Sequence, residues 1–409
     1  MHILFLTQII PYPPDAGPRV KTWHVLRYLS GLGCRITLVS FIRPEEEGYL
    51  KTLREVCTDV HTVPIRRSRP ADLGYWLRSQ WTGRPFLVER DDSRAMRAQV
   101  RSIVEKGDVD AIHADQLTMA QFARTPGLER KGPAAGGNGR PVAVFDAHNA
   151  VWTILRRMAE NAPPLLRPLL IREARMVEAY EGRVVRSFDR VLAVTEIDRQ
   201  ALLQAAGQVG GDRISVIPIA VDTVKLRPVE QYTRSNSIVT LGTLHYPPNA
   251  DGIRWFLHEV FPLVRDAVPE ATLTIIGKHP PRDFLQAAEA QPDAVRVTGY
   301  VPDLDEYMSA AAVVAIPVRA GGGMRVRILE AFSRGLPVVT TTVGMEGIDA
   351  LPGRELLTGD TALDFAGSVI RFLEDPDLRV QTGRRARALA EARYDWQVAL
   401  QDLEAIYKP

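Results

Sequence analysis

Three consecutive glycines, Gly321, Gly322 and Gly323, constrain this chain more than any other feature. Residues 313–318 before them are apolar and β-branched, the composition of a strand buried in a parallel sheet. Behind them Met324, Ile328, Ala331 and Phe332 recur at helical spacing, and Gly335 and Pro337 stop that helix. Residues 336–342 read as the next strand. A glycine-rich turn that opens a helix brings backbone N–H groups close to a ligand, and the helix dipole favours an anion there. Arg325 and Arg327 fall on the first turn of the expected helix, a poor place for cations unless an anion is bound. The unit therefore predicts a phosphate site.

The same grammar runs through the rest of the chain. Residues 2–8 form a strand, 9–18 a proline-rich loop ending near Gly17, 19–32 a helix and 35–41 a second strand. This βαβ unit puts Gly17 where a phosphate is approached in such folds. Residues 109–113 and 142–146 read as further parallel strands, separated by a glycine-rich surface loop at 131–140. His148 follows the second of these, at the strand end where open α/β sheets bind ligands. Residues 66–90 combine six arginines with Tyr75, Trp76, Trp81 and Phe86 and read as a helix pair whose aromatics pack inward. Residues 152–188 carry seven arginines among leucines and methionines, and Pro163–Pro164 divide them into two amphipathic helices with a basic face.

After a linker at 222–228 the pattern restarts near residue 235. Strands and helices then alternate to residue 393, and 394–407 reads as a final amphipathic helix. The reading is α/β, with two doubly wound parallel-sheet domains at 1–225 and 235–390. Charge separates the halves. Residues 1–222 hold 31 Lys and Arg against 25 Asp and Glu, and the remainder holds 20 against 24. That balance argues against a general nucleic-acid binder and permits attraction of the first half to an anionic ligand or membrane surface. No apolar run reaches membrane-spanning length, and the chain opens on a strand without the marks of a signal peptide. Cys34 and Cys57 offer neither a disulfide framework nor metal spacing, so a cytoplasmic protein is expected.

Six segments, in this order, resemble the retaining glycosyltransferases of family 4, and the last two look most like the bacterial branch that makes exopolysaccharide and other surface glycans. They are the N-terminal strand with its Gly17 loop, DAHN at 146–149, VLAVTEIDRQAL at 191–202, ISVIPIAVD at 214–222, SIVTLGTLHYPPNADGIRWF at 237–256 and GGGMRVRILEAFSRGLPVVTT at 321–341. The resemblance implies the GT-B architecture, two facing Rossmann-like domains with a cleft between them and residues 394–409 packed back on the first. It implies transfer of a sugar from a nucleoside diphosphate sugar to a glycan or lipid-linked acceptor, with retention of configuration. Glu330 matches the glutamate that accepts hydrogen bonds from the ribose hydroxyls. The family's second glutamate, which holds the donor sugar, falls at Gly322. The basic pair that cradles the diphosphate is missing from GTLHY at 242–246, and Arg325 and Arg327 are expected to supply its charge. His148 matches the histidine beside the reacting sugar. Gly17, Gly242, Thr243, Gly323 and Met324 fall in loops approaching the donor, and Tyr300 and Val301 in the base pocket. Neither a metal nor another cofactor is expected, because no Asp-x-Asp pair ends a strand. Work at the inner face of the plasma membrane is expected, with peripheral contact to anionic lipid. A sugar-nucleotide epimerase of the same fold, and a non-catalytic partner of a glycan-assembly complex, are the competing readings.

Overall fold

The computed structural model describes residues 1–106, 108–124, 141–160, 162–229 and 235–407. The loop expected at 131–140 lies outside them. The chain forms two compact units, Met1–Ile219 with Ala399–Pro409, and Ala220–Val398.

The first unit is built on seven strands, all paired in parallel: β1 His2–Thr7, β2 Arg35–Ile42, β3 Asp59–Pro64, β4 Ala111–Asp115, β5 Val142–Ala147, β6 Arg190–Ala193 and β7 Ile214–Val216. Their order is β3-β2-β1-β4-β5-β6-β7. The central strands are buried along their whole length, as their unbroken apolar runs require when helices cover both faces. The strand order reverses between β1 and β4, and that switch point is where doubly wound sheets open a crevice at the carboxyl edge.

The second unit repeats the plan with six strands: β8 Ser237–Leu241, β9 Thr272–Ile276, β10 Val295–Gly299, β11 Ala311–Ile316, β12 Val338–Thr340 and β13 Leu357–Thr358. Their order is β10-β9-β8-β11-β12-β13, again parallel throughout. Its switch point lies between β8 and β11, which brings the Gly242 loop and the triple-glycine loop to the same edge.

Three sequence expectations change. Residues 222–228 are no free linker: Val221 bridges Asp395, Asp395 Oδ2 accepts from Thr223 N and Oγ1, and Arg387 donates to the carbonyls of Thr223 and Leu226. The final helix is broken into Trp396–Ala399 and Leu403–Tyr407. Asp395, whose backbone is extended to bridge Val221, also separates Tyr394 from these two pieces. In helix Arg69–Thr82 the aromatics do not all pack inward: Tyr75 and Trp76 are half-buried, but Trp81 is 97% exposed.

Candidate functional site

In the second unit the carboxyl edge is shaped by backbones in close approach. A Cβ on Gly252 would lie 1.8 Å from the Pro317 carbonyl oxygen, so only glycine lets helix Pro247–Trp255 pass the end of β11. A Cβ on Gly277 would lie 2.0 Å from the Gly242 oxygen, which locks the loop after β9 against the loop after β8. The start of the triple-glycine loop is pinned from β12 and the residue after it. Thr340 Oγ1 donates to Ile316 O at 2.7 Å, and Thr341 Oγ1 donates to Val318 O.

Within that loop Gly321 and Gly323 have φ of 114° and 81°, a conformation that excludes other residues at little cost only to glycine. Gly322 is not among the positive-φ glycines, so its lack of a side chain is not imposed by the backbone. Among the described residues, the N–H groups of Gly322, Gly323 and Met324 donate to no other backbone carbonyl. The helix begins at Val326, one residue later than the arginine expected on its first turn. Arg325 is instead the N-cap, and its guanidinium donates to the carbonyls of Gly322, at 2.6 Å, and Gly323. It braces the loop from behind. Arg327 is half-buried in the first turn, and its charge acts on Glu330 three residues on. Burial raises the Glu330 carboxyl above the usual glutamate range, against the lowering influence of Arg327 and Arg334. Met324 is buried and helps to seat the loop.

The neighbouring loops supply groups that the sequence did not single out. The Gly242 N–H donates to Ile276 O at 3.0 Å and is thus committed to the sheet, while Thr243 O accepts from Tyr246 N at 3.0 Å. Tyr300 is 54% exposed beside half-buried Val301, and Lys278 Nζ lies 4.2 Å from the centre of its ring. The rings of His245 and His279 meet edge to face at 5.5 Å. So the positive charge missing from GTLHY is present one strand away, in Lys278, with His279 beside it. Their signal in the sequence was GKHPP at the end of β9, legible only once β9 is known to lie beside β8.

The first unit gathers a buried ionic cluster at the ends of β4 and β5. Lys21 on helix Gly17–Gly31 is 1% exposed and pairs with fully buried Asp146. His113 Nε2 lies 3.6 Å from Asp146 Oδ2, and His113 Nδ1 is 2.6 Å from the Tyr407 hydroxyl. On the adjoining side, His148 Nε2 is 2.8 Å from Asp115 Oδ1, and Thr22 Oγ1 donates to the same carboxylate. A carboxylate can only accept, so His148 carries its proton on Nε2 when neutral and leaves Nδ1 as an acceptor. That Nδ1 is buried and has no hydrogen-bond partner among the described residues. Burial would raise the Asp146 pKa, but Lys21, His113 and His148 outweigh it and hold the carboxyl well below the usual range. His113, Asp115 and Asp146 each offer a ligand atom within 4.8 Å of the others, the donor set of a cation site. Lys21 already supplies a cation to one of those carboxylates. Gly17 opens the helix that carries Lys21 and Thr22, with Pro18 at its start. Of this cluster the sequence flagged only His148. DAIHAD and DAHN both end parallel strands, but nothing in the pattern placed Lys21 or Tyr407 beside them.

The turn bearing His148 is held by two further buried acids. Glu181, fully buried, accepts from Val151 N at 2.8 Å and Trp152 N at 3.1 Å, and Asp198 Oδ1 accepts from Ala150 N at 3.0 Å. Burial pushes the Glu181 pKa up to about 8 despite its two backbone donors.

Two family models match the chain: "Glycosyltransferase Family 4" over residues 17–225 and "Glycosyl transferases group 1" over residues 235–375. Among curated relatives, an "Uncharacterized 44.6 kDa protein in cps region" of Klebsiella pneumoniae is 25% identical over 407 residues, covering 96% of each chain. A "GDP-mannose-dependent monoacylated alpha-(1-6)-phosphatidylinositol monomannoside mannosyltransferase" of Corynebacterium glutamicum is 30% identical over 152 residues, 35% of this chain and 40% of its own. Among solved structures, Anabaena Alr3699/HepE in complex with UDP-glucose superposes with a TM-score of 0.66 at 17% identity, over 99% of this chain and 98% of that one. Sucrose-phosphate synthase from Thermosynechococcus elongatus gives 0.71 at 15% identity, over 100% and 98%. At such identities the structural likeness speaks for the fold.

Proposed function

Since the chain belongs to the family-4 glycosyltransferases, with the paired Rossmann-like domains of the GT-B class, we propose that it moves a sugar from a nucleoside diphosphate sugar to an acceptor hydroxyl with retention of configuration. A glycan or lipid-linked acceptor in surface polysaccharide or glycoconjugate synthesis fits the likeness to a protein of a cps region. The observation that carries the donor assignment is the triple-glycine loop with Arg327 and Glu330 at the switch point of the second sheet. The fold neighbour from Anabaena, seen in complex with UDP-glucose, supports a donor of this class.

In this reading Glu330 accepts hydrogen bonds from the ribose, and Tyr300 and Val301 border the base. The N–H groups of Gly322, Gly323 and Met324, with Arg327 and Lys278, take the diphosphate. The bond from the anomeric carbon to the diphosphate breaks with its electron pair passing to the leaving phosphate. The acceptor oxygen bonds to that carbon on the same face, and its proton goes to a phosphate oxygen of the leaving group. Negative charge grows on the diphosphate as the bond lengthens, so fixed cations and N–H groups there stabilise the transition state more than the ground state. These protein cations do the work that a divalent ion would otherwise do, so no metal is required. His148 Nδ1 accepts a hydrogen bond from a hydroxyl of the transferred sugar, with Asp115 fixing the ring.

The test is thermal melting with UDP-, GDP-, ADP-, TDP- and CMP-sugars. One nucleotide class raises the melting temperature, since saturation at 100 times Kd adds about 2.7 kcal/mol of stability. Arg327→Ala weakens binding of the nucleoside diphosphate about 10- to 100-fold and leaves the nucleoside unaffected. No shift with any sugar nucleotide defeats the donor assignment, and equal loss of diphosphate and nucleoside defeats the phosphate role.

A further inference from the structure

The short helix Phe86–Arg90 ends over the carboxyl edge of the first sheet. Three contacts hold it there. Gln8, the residue after β1, donates from Nε2 to Asp91 Oδ2 at 2.5 Å. Arg67, three residues past β3, donates to Asp91 Oδ1 at 2.7 Å. Gln121, behind the turn that follows β4, donates from Nε2 to Val88 O at 3.1 Å. Asp91 is 1% exposed, and both of its oxygens are committed by these bonds.

Arg90 brings a second guanidinium to the same carboxylate without bonding to it. Its Nε lies 3.7 Å from Asp91 Oδ1, beyond hydrogen-bonding distance, and is buried with no hydrogen-bond partner among the described residues. A buried donor without an acceptor is costly, and a ligand is one explanation of it. The guanidinium carbon lies 5.4 Å from the centre of the Phe86 ring, which holds the plane of the fork. The Phe86 N–H is held in turn by Glu173 Oε1 at 2.7 Å. Burial lowers the Arg90 pKa, as does the charge of Arg67, against the opposing charges of Asp91 and Asp72. The cation is thus under-compensated where it stands, yet 28% of its side chain is open to a ligand.

The neighbouring turn shows the same signature. Gln116, the residue after β4, has a φ of 73°, where side chains are rare. Its Nε2 and the Thr118 Oγ1 are both buried with no hydrogen-bond partner among the described residues. Gln121 Nε2, which grips Val88, also donates to Thr118 O at 2.9 Å, so the turn and the helix are fastened side by side. Asp115, next to Gln116, is the residue that holds His148.

We propose that Arg67 and Arg90 receive an oxyanion carried by the acceptor, the carboxylate or phosphate of an acidic glycan. This rests on the transfer reading above, in which the second unit takes the diphosphate of the donor and leaves an anion site on the edge that carries His148 to the acceptor. Arg90 offers Nε and a terminal nitrogen to two oxygens of the anion, the paired contact that a carboxylate or phosphate fits. A neutral sugar makes no such pair and leaves the second guanidinium unmatched.

The experiment is calorimetric titration of the full chain with glucose, glucuronate and glucose 6-phosphate, which differ only at carbon 6. At least one of the two acidic sugars binds about tenfold more tightly than glucose, and the tighter of them names the anion. Arg90→Gln abolishes that preference. Arg90→Lys, which keeps the charge and loses the fork, abolishes most of it with the melting temperature of the parent. Arg327→Ala, in the second unit, leaves it intact. Equal binding of the three sugars overturns the proposal, and so does a preference that survives in both Arg90 variants. A preference lost in Arg327→Ala gives the anion to the glycine loop and overturns it as well. No sugar nucleotide is present, so a negative result here leaves the donor assignment standing, and a failure of every sugar nucleotide to bind leaves this site standing.

Discussion

Lys21 shows how much one residue can carry. An ammonium shut away from water is tolerated only with its charge matched, and Asp146 matches it inside the sheet end. Lys21→Met leaves an uncompensated buried carboxylate and destabilises the first unit by about 3–5 kcal/mol, measured by urea unfolding. Lys21→Met with Asp146→Asn recovers most of that loss; if the double variant is as unstable as the single one, the pair is not what the lysine serves. The residue scale is also where the sequence was most unevenly legible. Glu330 and His148 stood in segments whose order matched a family. Lys21 sat inside the helix read at 19–32, and nothing in the pattern singled it out. Arg325 was legible as a cation by the glycine loop, but its use in bracing two carbonyls depends on where the helix starts.

At the scale of elements, the turn that carries His148 is governed by Glu181 from a different helix. Its folded pKa of about 8 stands above the ordinary value of 4.5, because burial penalises the carboxylate. A raised folded pKa means that the stabilising contribution is fully present below about pH 4.5 and is lost as pH rises through about 8. The loss is on the order of a few kcal/mol. Chemical denaturation between pH 5 and about 9 therefore shows a falling stability, and Glu181→Gln, which keeps an acceptor for the Val151 and Trp152 N–H groups, flattens that slope. An unchanged slope in Glu181→Gln assigns the pH dependence elsewhere. Strands were the most readable elements, because unbroken apolar runs of five or six residues between glycines and prolines leave few alternatives. The tail was misread as one helix. Its apolar spacing is helical, but Asp395 answers to Thr223 and Val221, far earlier in the chain, and cuts Tyr394 off from the tail, a pairing that no local pattern encodes.

For the molecule as a whole, the strand alternation and the restart near residue 235 were enough to read two doubly wound units. The boundary was not, because residues 222–228 look like a linker until the hydrogen bonds that Thr223, Leu226 and Val229 make with Asp395, Arg387 and Arg334 are traced. The last residues return to the first unit, where Leu400, Leu403, Ile406 and Tyr407 are buried. Deleting Ala399–Pro409 therefore costs the first unit several kcal/mol and leaves the second close to its original stability. Hydrogen exchange resolves the two, with protection lost in β1, β4 and β5 and kept in β8 and β11. Uniform loss across both sheets is the result that counts against this division.

The return of the tail has a further consequence for how the protein is made. A ribosome releases Tyr407 only after every residue of the second unit has emerged. The first unit is begun first and finished last. Until then His113 lacks its phenol partner, and the groove that Leu403 and Ile406 will fill stays open to solvent. The second unit, whose residues are contiguous, completes itself inside that interval.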